Sequence, residues 1–508
     1  MNTRRDFLKL AGLGAVGAAL TFPRVGKSAA PAFQGLEKAK RPLDAAGSAA
    51  LTTGRGRPNV LFLIVDDLTT TVGCYGDRDA RTPHMDALAA RGVRFERAYT
   101  QFSLCNPTRC CFLTGCYPER TEVYDLVTSL RGGLPNAITL PQLFKNAGYT
   151  AGRIGKVFHV GDPKTKLDVE LGAPLHKDNV ILEEAKLAER SEGDLSDPPQ
   201  KTGREGNQYN RCYAPSPHPD KDFTDYQIAE EALKTLEDFK DKPFFLAVGF
   251  IRPHTPYVAP QRFFDLLDPQ KIAMPAFYQA GGENLASIPK PALRPNNNIF
   301  RLAAPSPKEA REARRAYHAS TAWVDSQVGR VLAKLKELKL DENTIVLLTG
   351  DHGYQLGEHG LWAKQTLFEE GTHVPLLVAG PGIKPGVCAG LVEQVDIYPT
   401  LATLAGLSIP PGIQGLSLQP LVADPSKPGK PAVFSTMVST HTKLMGRSVR
   451  DDRFRYIEWD DGRGGRHLYD HESDPHELTN LAEQPQHAAR VKQMHELLAQ
   501  HVETVRRK

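Results

Sequence analysis

Four short runs of the chain are almost purely apolar: VLFLIV at 60–65, FFLAVGF at 244–250, TIVLLT at 344–349 and PLLVAG at 375–380. A strand with one wet face alternates apolar and polar side chains, because successive side chains point to opposite faces; a run without alternation must be covered on both. Helical patterns separate the runs, and strands sandwiched between helices belong to an α/β domain with a largely parallel sheet. Ligands of such sheets bind beyond the carboxyl ends of the strands, so the residue after each run becomes the place to look for chemistry.

The longest helical pattern is KEAREARRAYHASTAWVDSQVGRVLAKLKELKL at 308–340. There Tyr317, Thr321, Val324, Val328, Val331 and Leu335 recur every three or four residues and make one apolar face, with the charges expected on a solvated one. Segments 160–222 and 255–308 are rich in Pro, Asn, Asp and Gly and read as long insertions over one end of the sheet, of the kind that builds substrate pockets. After ADPSKPGKP at 423–431 the pattern changes to AVFSTMV, RSVRDDRFRYIEW and HLYDHE, expected as short antiparallel strands, then a closing helix from about 484. The expected organisation is a main domain at 58–424 and a smaller C-terminal α+β subdomain at 425–508.

The chain opens with MNTRRDFLKLAGLGAVGAALTF, two arginines ahead of a weakly apolar run, which is a twin-arginine export pattern over residues 1–30. That run is too short and too rich in Gly and Ala to span a membrane. Residues 31–57 are small, polar and aperiodic, and read as a flexible linker. Export implies a periplasmic or secreted protein. The export segment also absorbs the net charge: five basic residues against one acidic in the first thirty account for the formal +4 of the whole chain. A mature chain near neutrality gives no electrostatic case for nucleic acid or an anionic membrane surface as partner. Seven cysteines, at 74, 105, 110, 111, 116, 212 and 388, are an odd number for an exported chain, so at least one is unpaired or altered. None of their spacings is that of a zinc site, and a disulfide among them stays open.

The strand ends are conspicuously polar. VLFLIV runs into Asp66 and Asp67, and TIVLLT into Gly350, Asp351 and His352. Three uncompensated carboxylates would repel one another, so a divalent cation is the economical explanation, and their oxygens suit Ca²⁺ or Mg²⁺. His352 is softer than those ions prefer and would either join the site or orient a ligand. Lys156 and His159 follow GYTAGRIG, Arg252 and His254 follow FFLAVGFI, and Lys364 follows the Asp351 strand. A cation ringed by Lys and His suits a tetrahedral oxyanion, which points to phosphoryl or sulfuryl transfer. In FSLCNPTRCCFLTG, Pro107 suits the first turn of a helix, whose free N–H groups attract anions, and Arg109 would share the helix face of Cys105. A thiolate is a poor partner for a hard cation, so residue 105 should act through oxygen.

With these residues in view the chain resembles the sulfatases: CNPTRCCFLTG matches their Cys-x-Pro-x-Arg signature with its Leu-Thr-Gly, and GYTAGRIGKVFH matches their second signature. NVLFLIVDDL, GCYGD, PFFLAVGFIRPHTPY, VDSQVGRVL, DHGYQLGEHGLWAK and THVPLLVAGPG resemble the iduronate-2-sulfatase branch, over roughly 59–482. The resemblance implies an alkaline-phosphatase-like sandwich with a mixed, mostly parallel sheet. It also implies a maturation enzyme that oxidises Cys105 to formylglycine, whose hydrate attacks sulfur and leaves a covalent sulfated enzyme. By position Asp66, Asp67, Asp351 and His352, with residue 105, would hold one Ca²⁺ (or Mg²⁺). Arg109 would stabilise the diol, His159 would act as its base, and Lys156, His254 and Lys364 would grip sulfate oxygens. The implied substrate is a sulfated saccharide, a 2-O-sulfated uronic acid. Asn106 and Ala151 depart from the family pattern, which has small residues and a hydroxyl residue there; maturation enzymes read the peptide around the cysteine, so Asn106 bears on conversion. Two other readings are a phosphate or phosphonate ester hydrolase of the same superfamily and a non-catalytic exported sugar-binding relative with a structural cysteine cluster.

Overall fold

Every residue of β1 (Asn59–Val65) is buried, and its side chains divide between two cores. Val60, Phe62 and Ile64 pack with Phe112, Phe144 and Leu401 on one face, and Leu61, Leu63 and Val65 pack with Ile228, Val324 and Val328 on the other. Burying one such side chain is worth about 1.5–3 kcal/mol, so a strand covered twice is a strong organiser. The computed structural model describes residues 56–159, 213–276, 288–293 and 305–506. The export segment, the linker up to residue 55, Cys212 and most of the 160–222 insertion lie outside those residues, as does part of the 255–308 insertion.

The other strands are β2 (Gly92–Tyr99), β3 (Thr150–Gly155), β4 (Tyr213–Ser216), β5 (Phe244–Phe250), β6 (Tyr257–Pro260), β7 (Thr344–Gly350), β8 (Gln355–Leu356), β9 (Trp362–Ala363), β10 (His373–Ala379), β11 (Gly386–Glu393), β12 (Ala432–Val438), β13 (Met445–Asp451), β14 (Phe454–Trp459) and β15 (Arg466–Asp470). Seven of them form one sheet in the order β11-β2-β10-β7-β1-β5-β3. The four neighbours β7, β1, β5 and β3 are mutually parallel, while β10, which carries PLLVAG, pairs antiparallel with both β7 and β2. The sheet is thus mixed and mostly parallel, as the apolar runs predict, and four carboxyl ends meet on one side.

One helix layer contains Cys105–Thr114, Leu140–Asn146 and Ile397–Leu404; the other contains Pro83–Ala90, Thr224–Phe239 and the long helix Pro307–Glu337. The long helix starts at a capping box in which Ser306 and Glu309 satisfy each other's backbone N–H groups. All six of its expected apolar-face residues are buried, but its charges are not all solvated. Asp325 is buried and accepts the N–H groups of His84 (3.1 Å) and Met85 (2.8 Å), which open the neighbouring helix, and Arg314 is buried against the carbonyl of Leu356.

Strands β12 to β15 form a second, antiparallel sheet in chain order. The final helix, Ala488–Arg506, covers one face through Val491, Met494 and Leu498. The other face brings Met437, Ile457 and Trp459 against Phe102 and Leu104, the residues that lead into the Cys105 helix. Thr436 donates its N–H to Gln101 at 2.9 Å, so the second sheet fixes the approach to residue 105. Among the described residues no helix is long and apolar enough to cross a membrane.

Candidate active site

Cys105 is the first residue of its helix, after Leu104 in extended conformation, and Pro107 falls in the first turn, where no N–H partner is needed. Arg109 is one turn further on, and both side chains face the strand ends. The Cys105 Sγ lies 3.0 Å from Lys364 Nζ, 3.3 Å from His352 Nε2 and 3.9 Å from Asp67 Oδ1. Arg109 donates from Nε (3.1 Å) and Nη2 (3.0 Å) to Asp351 Oδ2, from Nη2 to Asp66 Oδ1 (3.0 Å), and from Nη1 to the carbonyls of Lys156 and Val157.

The remaining groups come from the ends of the four parallel strands. Asp66 follows β1 and pairs with Lys156, which follows β3. Gly155 and Gly249 let β3 and β5 approach at this turn: a Cβ on Gly155, itself at φ +67°, would meet the Gly249 carbonyl at 2.1 Å. Asp67 has left-handed backbone (φ 58°), which Asp tolerates better than most residues, and its N–H donates to Asp351 Oδ1 at 2.9 Å. Lys364 donates to both Asp67 oxygens, at 2.8 and 3.1 Å. It is flanked by Ala363 and Gln365, both at φ 69°, backbone strain that persists only where the surrounding structure over-determines the position. The Gln365 N–H donates to Ser103, tying the lysine's loop to the segment before Cys105.

His254, after β5, places Nε2 3.9 Å from Asp67 Oδ2. His159 lies where the charges of Lys156, Arg109, Asp66 and Lys364 act on it, with a buried Nδ1 that has no hydrogen-bond partner. Arg252 donates to the carbonyls of Val258 (3.2 Å) and His254 (2.6 Å) and so shapes the loop that carries His254. The ten predicted site residues therefore converge on one buried cluster, His159 at its edge. Tyr317 and Thr108 escaped prediction. Tyr317 donates its hydroxyl to the Asp67 carbonyl at 2.7 Å, and Thr108 donates to the Asp351 carbonyl at 3.0 Å. A tyrosine on the apolar face of a helix reads as core; its hydroxyl, which needs a partner when buried, is the signal that points further.

The premise that the carboxylates stand uncompensated does not hold, since Asp66, Asp67 and Asp351 each meet Arg109, Lys156 or Lys364. Burial alone would raise the Asp66 pKa, but Lys156, His254 and Arg109 outweigh it and hold the carboxyl well below its usual range. Burial and the nearby Asp66 push Asp351 the other way. Lys364, which burial would discharge, is kept charged by Asp67. Burial lowers His254 to about 4 against the pull of Asp67, and lowers His159 to about 3 with Lys156 and Arg109 adding to the effect, so both imidazoles are neutral near pH 7.

Two overlapping groups, Asp66, Asp67, Cys105 with His254, and Asp67, Cys105, Asp351 with His352, each offer donor atoms within 4.8 Å of one another. Carboxylate oxygens converging in this way fit a hard divalent cation, and Lys364 Nζ already places a positive charge among the same donors. His254 joins one group although the sequence assigned it to anion binding alone. Cys74, Cys111, Cys116 and Cys388 are free thiols outside this cluster, and burial raises the pKa of Cys111 well above normal, which keeps it unreactive.

The chain is similar to known proteins over most of its length. Residues 58–407 match the family model of the sulfatases, and residues 357–504 match that of the C-terminal region of N-sulphoglucosamine sulphohydrolase. The chain is 31% identical to human iduronate 2-sulfatase over 478 residues, covering 79% of this chain and 84% of the relative. Among solved structures, a 2-O GAG sulfatase superposes with a TM-score of 0.69 at 26% identity, over 88% of this chain and 92% of that one. A phosphonate monoester hydrolase from Silicibacter pomeroyi gives a TM-score of 0.68 at 25% identity, over 88% and 95%. The fold is that of the alkaline-phosphatase-like hydrolases, and with the sulfatase model matched over most of its length this chain belongs to the sulfatase family and is a sulfuric ester hydrolase.

Proposed function

We propose that the chain removes sulfate from a 2-O-sulfated uronic acid in a glycosaminoglycan-like or other sulfated polysaccharide fragment, with residue 105 as nucleophile. The observation that carries this reading is the placement of Cys105 Sγ, at a helix start, within 3.0 to 3.3 Å of Lys364 and His352 beside three carboxylates. The 31% identity to human iduronate 2-sulfatase and the likeness to a 2-O GAG sulfatase support the substrate class.

In this reading a maturation enzyme oxidises Cys105 to formylglycine, and water adds to the aldehyde to give two hydroxyls on one carbon. Asp66, Asp67, Asp351 and His352 would hold Ca²⁺, or Mg²⁺, which would supply electrophilic stabilisation of the sulfate oxygens. Arg109 clamps Asp66 and Asp351 and orients the diol, while Lys156 and Lys364 offset charge that grows on the sulfate and the leaving oxygen and neutral His254 donates a hydrogen bond to a sulfate oxygen. One hydroxyl of residue 105 attacks sulfur, the sulfur–oxygen bond to the sugar breaks, and the sugar oxygen leaves with a proton, giving a sulfated residue 105. Neutral His159 then takes the proton of the second hydroxyl, the bond from carbon to the sulfate oxygen breaks, and the aldehyde returns.

Residues 1–30 as a twin-arginine signal, 31–57 as a linker and a domain boundary near 424 complete the reading, which places the mature enzyme in the periplasm or outside the cell. Matured protein offered a 2-O-sulfated uronate disaccharide and the matching phosphate ester should release sulfate faster. Faster phosphate release, in keeping with the phosphonate hydrolase likeness, would overturn the reading.

A further inference from the structure

His318 lies on the long helix, fully buried, and neither ring nitrogen has a hydrogen-bond partner. An unpaired buried polar group costs about 1–3 kcal/mol, so its retention calls for a ligand. Its Nε2 faces Asp77 Oδ2 at 4.0 Å, and Asp79 completes a group of three whose donor atoms lie within 4.8 Å of one another. Asp77 is already oriented: its Oδ1 accepts the N–H groups of Asp79 (2.8 Å) and Ala80 (3.0 Å), which turns Oδ2 towards the imidazole. Asp79 is held by the N–H of Ala273, which donates to its Oδ2 at 2.8 Å. A tetrahedral ion with ligands about 2.1 Å away spaces neighbouring donors roughly 3.4 Å apart, so a small inward shift closes the set.

The surroundings suit an ion. A cavity of about 290 Å³, bordered by Asp77, Thr69, Thr71, Tyr354, Glu358 and Glu370, opens at Asp77, one of the three. The nearby cations are engaged elsewhere: Arg314 with Glu358 (3.0 Å) and the carbonyls of Leu356 and Ala273, Arg81 with the carbonyls of Arg78 and Ala80.

We infer that Asp77, Asp79 and His318 form a second cation site, distinct from the strand-end centre, that takes a first-row dication of borderline softness, Zn²⁺ above all. One imidazole with two carboxylates selects such ions over Ca²⁺ and Mg²⁺. The site also has a reason to exist, because the adjacent Tyr317 holds the Asp67 carbonyl and accepts the Thr69 N–H at 3.1 Å. An ion on His318 would fix the turn of helix that positions Asp67.

The inference is independent of the ester hydrolysed, and its test reads metal, not turnover. Wild-type crystals stripped with EDTA, reloaded with Ca²⁺ and then soaked in Zn²⁺ should show an anomalous peak between the three side chains at the zinc absorption edge. His318→Ala should lose one zinc equivalent with its calcium content unchanged. Asp79→Asn, at a half-buried position and so a milder change, should weaken Zn²⁺ binding at least about 10-fold. A wild-type crystal with no peak there, or either folded variant retaining the wild-type zinc affinity, overturns the inference.

Discussion

Arg109 and Arg455 are both buried, and each lies between two carboxylates, but only Arg109 has the proposed nucleophile, Cys105, beside its cluster. Arg455, on β14, pairs with Glu369 and with Glu477 (2.6 Å), donates to Ser448 (3.1 Å), and lies 5.6 Å from the ring of Tyr99. These partners belong to both sheets' surroundings, so the cluster stitches the antiparallel sheet to the rest of the fold. Around the carboxylates of Arg109 and the neighbouring Asp67 stand a cysteine, two lysines and two histidines. Buried charges must be paired in either place, since one left alone costs several kcal/mol. Pairing is therefore a condition of folding, and reactivity is signalled by the groups beyond it: a nucleophile and the cations that meet an incoming anion.

The sharpest break between the two clusters is Cys105→Ala, which should abolish turnover while the melting temperature changes little. Next, Arg455→Ala should destabilise by about 3–5 kcal/mol in urea unfolding, because it strands Glu369 and Glu477, with kcat per folded molecule near wild type. Arg109→Lys keeps the charge but loses the fork, and should lower kcat by about 10²–10³ while stability falls less. Asp351→Asn should weaken retention of the strand-end cation, read as metal content after dialysis, before it harms folding. A loss of kcat in Arg455→Ala as large as in Arg109→Lys would erase the distinction.

The smallest effect concerns pH. His467, on β15, is buried with Nε2 unpaired and edge-on to Phe368. Burial, opposed by Glu477 and aided by His359, drives its pKa down to about 3. The unfolded chain, with a value of about 6.5, then binds more protons than the folded one between those values. Its contribution to stability is full above about pH 6.5 and is lost as pH falls towards 3. His467→Phe should flatten the dependence of melting temperature on pH between 6.5 and 4, and an unchanged slope would contradict the assignment.

The parallel heart of the fold was readable because β1, β5 and β7 are covered on both faces and cannot alternate. Strands β2 and β11 were not, since coverage there is incomplete, Glu96 and Val387 reach solvent, and the apolar signal is diluted. Members of the strand-end cluster were readable where polar residues follow a strand: Asp66, Asp67, Asp351, Lys156 and His254. Their mutual compensation was not, because Arg109 meets Asp351 across 242 positions of chain and only the folded sheet brings them together. Tyr317 and His318 were hidden by their helix, where spacing reports a buried face and says nothing of what a buried hydroxyl or imidazole touches. Asn106 gains a structural reason: its side-chain amide donates to the carbonyls of Asp125 and Thr128, both at 2.8 Å, and ties that loop to the Cys105 helix.

The mass of the tryptic peptide AYTQFSLCNPTR, from protein made in a host with the maturation enzyme, tests the central claim most directly. The account predicts a peptide lighter by the difference between a thiol and an aldehyde, reactive with a carbonyl reagent, in proportion to the activity of the sample. Fully active protein whose Cys105 is entirely an unmodified thiol would contradict it.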